Sequence, residues 1–127
     1  MHSLDIFATV AALAKASVPA SHQLEGVDLL PYFDGTKTTA PHERLFWRMG
    51  GGTKFAVREG DWKLVAEEPQ RVQLFNLAAD VSESNDIAAA RPEVLARLQQ
   101  AYNDWNKLDI APAFESPRAK QLKKPAK

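Results

Sequence analysis

Cysteine is absent from the 127 residues. That excludes disulfides, thiolate metal sites and cysteine nucleophiles within the chain, and it leaves the redox compartment open. Net charge is missing too: sixteen basic and sixteen acidic residues cancel. Global charge therefore favours neither nucleic acid nor a membrane surface as a partner. No apolar run approaches the about 20 residues that a bilayer span requires. The opening residues lack the positive charge of a signal peptide, and Asp5 interrupts the first apolar patch, so no export signal is expected here. Histidine is scarce. His2, His22 and His42 stand at no metal-binding spacing, and all three sit beside loop-type residues and are expected to face solvent. A glycine-rich phosphate cradle and a Gly-x-Ser-x-Gly elbow are both lacking.

What is present centres on residues 45–65. Leu45 and Trp47, then Phe55 and Val57, then Trp62, Leu64 and Ala66 alternate with polar residues in three successive runs. Period-two alternation predicts three strands. Gly50, Gly51 and Gly52 supply the first connection, Glu59-Gly60-Asp61 has the composition of a hairpin turn, and residues 72–77 supply a fourth strand. A tryptophan can bury about 150–250 Å². A register that turned Trp47 and Trp62 to solvent is therefore not expected to fold.

Ahead of these strands, residues 3–16 read as a helix with Ser3 as its cap and an apolar stripe of Ile6, Phe7, Val10, Leu13 and Ala14. Residues 19–41 are irregular, with one helical turn expected at 29–33. After the strands, Pro92 suits a first helical position, and Leu95, Leu98, Tyr102 and Trp105 recur at helical spacing. That helix is expected to cover one face of the sheet. Arg48, Lys54, Arg58 and Lys63 are expected to line the other, polar side. Over residues 110–127 five basic residues stand against Glu115, giving +4 there and −4 elsewhere. Such a tail reads as a poorly ordered solubilising end, and without aromatics beyond Phe114 it is a weak nucleic-acid binder. The carboxylates Asp80, Glu83 and Asp86 lack the glycine turn and terminal glutamate of a calcium loop, and read as capping or solvated groups. The fold class is α+β: a small four-stranded antiparallel sheet packed by a long C-terminal helix and preceded by an N-terminal helix and a long loop.

Taken in order, the landmarks resemble the closing portion of a sulfatase. They are Asp5 to Thr9, Pro19, Glu25-Gly26 to Gly35, Leu45-Phe46-Trp47, Ala56 to Leu64, Leu74 to Ala88, and Pro92 to Trp105. The departures are Glu25, Phe75, Asn76 and Ile87, where the family pattern has Asp, Tyr, Asp and Leu. The resemblance implies an alkaline-phosphatase-like enzyme hydrolysing sulfuric esters, with this chain as its smaller C-terminal subdomain. In such enzymes a formylglycine attacks sulfur while a calcium ion stabilises charge, so both cofactors are implied for the full-length enzyme. None of that equipment transfers to these residues. Ser17-Val18-Pro19-Ala20-Ser21 has Ser where the Cys/Ser-x-Pro-x-Arg motif needs Arg, and Ser116-Pro117-Arg118 has the wrong spacing.

Residues 1–18 are accordingly expected to pack on a missing N-terminal sulfatase domain, with 19–41 as connection, 42–110 as the subdomain and 111–127 as the tail. The segment is expected to complete the fold and one side of a sulfate-ester pocket, for a carbohydrate or aryl substrate, and to be inactive alone. His42, Arg48 and Lys54 are the candidate pocket-rim residues, with no catalytic or metal-binding residue assigned. A signal peptide on the full-length enzyme would make it periplasmic or extracellular. The competing reading is a stand-alone, non-catalytic binding module of the same sheet-and-helix architecture.

Overall fold

The computed structural model describes residues 2–22, 24–68 and 71–109. Helix α1 spans Asp5–Leu13 and a single turn, α2, spans Leu30–Phe33. Four strands follow, β1 Arg44–Met49, β2 Lys54–Glu59, β3 Trp62–Glu68 and β4 Arg71–Asn76, and helix α3 covers Pro92–Asn106. The strands form one antiparallel sheet in the order β1-β2-β3-β4. This is the α+β meander with a closing helix that the residue pattern predicts. The basic tail lies outside the described residues.

Register explains the core. Phe46, Val57, Leu64 and Leu74 stand opposite one another across the four strands. Val57, Leu64 and Leu74 are fully buried against Val94, Leu98 and Tyr102 of α3. Rings extend this contact: Phe55 stacks on Tyr102 with centroids 3.7 Å apart, and Phe46 on Trp105 at 5.1 Å. Removing such apolar area from water is the main stabilising term of the lobe.

The same register corrects the expected face of β1. Phe46 points to α3, while Leu45 and Trp47 lie on the opposite face and Trp47 remains 36% exposed. Trp47 and Trp62 therefore do not share a core. Arg44 and Arg48 flank Phe46 on the helix side, and both are paired, Arg44 with Glu59 and Arg48 with Asp109. An edge strand tolerates inward charges when each meets a partner, and such charges discourage edge-to-edge association. The expected basic strip is thus broken: Lys54, Arg58 and Lys63 keep the outer face, and Arg48 leaves it.

The glycine run at 50–52 forms a tight 3-10 turn in which all three residues have positive φ, from 59° to 94°. Only glycine takes such a run without strain. After β4, the loop is pinned by Asp80, which accepts bonds from Ser82, Ser84 and the Asn85 N–H, and by Asp86, which accepts from the Leu74 N–H at 3.1 Å. These carboxylates organise backbone, and Glu83 pairs with Lys63.

Helix α1 begins at Asp5, and Ser3 makes no capping bond. Asp5 itself accepts the His2 N–H at 2.8 Å. Thr9 ties the helix to the following loop, its hydroxyl accepting the Leu29 N–H at 3.1 Å. Gly26 passes so close to α1 that a Cβ there would stand 2.1 Å from the Leu4 carbonyl oxygen. The outward stripe of α1 (Ile6, Phe7, Val10, Leu13) is 55% to 62% exposed within this chain. No helix among the described residues is long and apolar enough to cross a membrane.

Candidate functional site

The densest polar arrangement joins three distant segments. Asp5 opens α1, His42 sits two residues ahead of β1, and Val27 belongs to the loop between them. The Asp5 carboxylate is fully buried and accepts the N–H of His2 at 2.8 Å, the N–H of Val27 at 3.2 Å and the ring Nε2 of His42 at 2.6 Å. Burial alone would raise its pKa, but the two backbone donors and the His42 ring outweigh burial and hold the carboxyl below its ordinary value. An aspartate so placed fixes the orientation of an imidazole. Among the described residues no hydroxyl is bonded to the His42 ring.

His42 opens onto a pocket of about 220 Å³, also lined by His2, Pro41, Glu43, Leu45 and Arg58. The expectation that all three histidines face solvent is corrected for two of them. His42 has only 13% of its side chain exposed, and half-buried His2 rests against the Trp47 ring, centroids 5.6 Å apart. His22 is exposed, as expected.

The structure does not gather the three rim candidates. Arg48 lies at the far end of β1 from His42, bonded to Asp109 and reaching the Gly51 carbonyl at 3.5 Å. Its buried Nε has no partner among the described residues. Lys54 is exposed and borders, with Arg48, a separate shallow depression of about 320 Å³ floored by Trp47, Phe55, Ala56 and Val65. Arg48 and Lys54 thus share one border, and His42 belongs to another site.

No family model matches the chain. Among solved structures, Ps i-CgsB is 26% identical with a TM-score of 0.79, and the match covers 93% of this chain but 27% of that one. A Bacteroides thetaiotaomicron protein solved in work on glycosaminoglycan metabolism is 26% identical with a TM-score of 0.67, covering 81% of this chain and 24% of its own. A 2-O GAG sulfatase is 22% identical with a TM-score of 0.66, covering 91% and 28%. The chain therefore spans about a quarter of the length of the structures it matches. It has the fold of a sulfatase C-terminal subdomain.

The sulfatase likeness also explains which signal was available for the buried acid. Asp5 and Thr9 form the first landmark of the family pattern, yet in the sequence alone Asp5 only interrupts an apolar patch near a helix start. Its partners His42 and Val27 lie 37 and 22 positions away, beyond the reach of local periodicity. Calcium is implied for a complete sulfatase. Among the described residues no three His, Asp or Glu side chains converge on a metal-sized site, so these residues do not fit that ion. Ser17, Pro19 and Ser21 lie exposed in the loop after α1.

Proposed function

We propose that this chain is the C-terminal segment of a sulfuric ester hydrolase. It completes the fold and walls one side of a sulfate-ester pocket, while the nucleophile and calcium ligands reside on the remainder of the enzyme. The observation that carries this reading is the coverage asymmetry, 93% of this chain against 27% of Ps i-CgsB. The exposed apolar stripe of α1 supports it, because a face of that kind is normally covered by another body. A carbohydrate sulfate is the favoured substrate class. Ps i-CgsB has also been solved in complex with k-i-k-neocarrahexaose, again matching 93% of this chain.

The test is reconstitution. The pure 127-residue chain is expected to show no calcium-dependent turnover of an aryl or carbohydrate sulfate. A sulfatase body lacking its final quarter is expected to regain turnover when this chain is added. Turnover by the chain alone overturns the proposal.

A second reading, the stand-alone binding module, draws on one observation. The sheet and α3 close a core of six buried residues without help from α1: Val57, Leu64, Leu74, Val94, Leu98 and Tyr102. A monomeric chain that melts cooperatively and does not associate with the sulfatase body would favour the module.

A further inference from the structure

The pocket ahead of β1 holds one charge that its surroundings leave uncompensated. Glu43 lies 3.5 Å from the Arg44 guanidinium. The Asp5 carboxylate is engaged by His42 and by two backbone N–H groups. Arg58 is different. Among the described residues it has no carboxylate partner, and its one hydrogen bond runs from Nε to the Gly60 carbonyl at 3.2 Å.

The same pocket contains a second unmatched group. His2 Nδ1 is shielded from solvent and has no hydrogen-bond partner among the described residues. Folded proteins seldom leave such an atom unmatched. The His2 ring is not free to swing toward water at no cost, because it packs on Trp47 and its backbone N–H is bonded to Asp5. Arg58 is fixed on β2 opposite Leu45, another lining residue. An exposed, unpaired guanidinium on β2 and an orphaned imidazole nitrogen ahead of α1 therefore line one recess.

We propose that this recess holds one small oxyanion, a sulfate or carboxylate group, either carried on a carbohydrate or free in solution. Arg58 supplies the charge, since its planar fork matches two oxygens of such a group. His2 supplies a further hydrogen bond through Nδ1–H. The volume, about 220 Å³, lies below the about 300 Å³ at which pockets begin to enclose drug-sized ligands. It suits a single anionic group and the ring atoms nearest to it. The inference stands apart from the sulfatase reading, because anion binding and reconstituted turnover can each succeed or fail without the other.

The experiment is a two-dimensional NMR titration of the 127-residue chain with sodium sulfate and, separately, with N-acetylglucosamine 6-sulfate, against sodium chloride at matched ionic strength. Saturable shifts are expected at the Gly60 amide, the Arg58 Nε–H and the His2 ring. Arg58→Met is expected to weaken binding by about tenfold or more, as loss of one charge-assisted contact implies. His2→Ala is expected to weaken it less. Unchanged Leu64 and Leu98 amide shifts in each variant establish that the core is intact. Tighter binding of the sugar sulfate identifies the carried group as ligand; equal or tighter binding of sulfate identifies the free ion, and either supports the site. No saturable shift beyond the chloride control, or an Arg58→Met chain that titrates like the parent, overturns it.

Discussion

His42 Nε2 and Asp5 Oδ1 stand 2.6 Å apart although 37 positions separate them in the chain. Through this contact the start of α1 is fastened to the segment that leads into β1. The carboxylate is the hub, since it also holds the N–H groups of His2 and Val27. Replacing it by Ala leaves three donors unmatched, and Asp5→Ala is expected to cost about 3 kcal/mol. The position of the chemical-denaturation midpoint checks this.

The pH dependence of that loss has a definite sign. Burial pushes the Asp5 carboxyl up, but its donors outweigh burial and its folded pKa is depressed. A depressed carboxyl stabilises the fold above its unfolded pKa, about 4, and ceases to do so as pH falls through the lower folded value. The difference in melting temperature between the parent and Asp5→Ala is therefore expected to be full near neutrality and to shrink below about pH 4. A gap that stays constant down to about pH 2.5 contradicts the assignment.

Gly26→Ala tests the close approach of the loop to α1. A Cβ would stand 2.1 Å from the Leu4 carbonyl oxygen and 3.2 Å from the Asp5 Cα, both backbone atoms that move only together with the helix start. A loss of about 2 kcal/mol is expected, in the range of overpacked sites. An unchanged urea midpoint contradicts the approach.

The two tryptophans on opposite faces give a contrast. Trp62 packs against the buried cluster beneath α3, whereas Trp47 is 36% exposed and touches His2. Trp62→Ala is expected to cost about 3–5 kcal/mol and Trp47→Ala less than half of that. Urea denaturation of the two variants measures it, and the reverse order would mean that β1 is paired in the other register.

The α1 stripe separates stability from association. Phe7 and Val10 are 58% and 55% exposed, so Phe7→Ser and Val10→Ser are expected to change stability by no more than about 0.5 kcal/mol. Both are expected to lower self-association and to weaken binding to a sulfatase body. Sedimentation and a pull-down against that body supply the two readouts.

Local pattern made most of the fold legible. The four strands, the Gly60 turn, the glycine connection and α3 each announce themselves within a dozen residues. The face of β1 did not, because three of its four apolar residues, Leu45, Trp47 and Met49, share the outer side while Phe46 sits between Arg44 and Arg48 on the inner one. What makes the inner side acceptable is supplied from afar, by Glu59 and Asp109, 15 and 61 positions from their partners. The polar cluster escaped for the same reason. Asp5 looks like a helix-end acid and His42 like a loop residue until the fold brings them into contact. His42, Arg48 and Lys54 all flank β1 or its glycine loop, yet a strand has two ends and two faces, so they border separate depressions.

Every hydrogen-bonded ladder of the sheet joins strands that are neighbours in the chain. Such a lobe has few distant loops to close, so it is expected to assemble quickly and in order as it leaves the ribosome. The Asp5–His42 contact spans 37 positions, so the anchoring of α1 is expected to follow the sheet. Until that pair closes, the sheet stands complete while α1 still lacks its anchor.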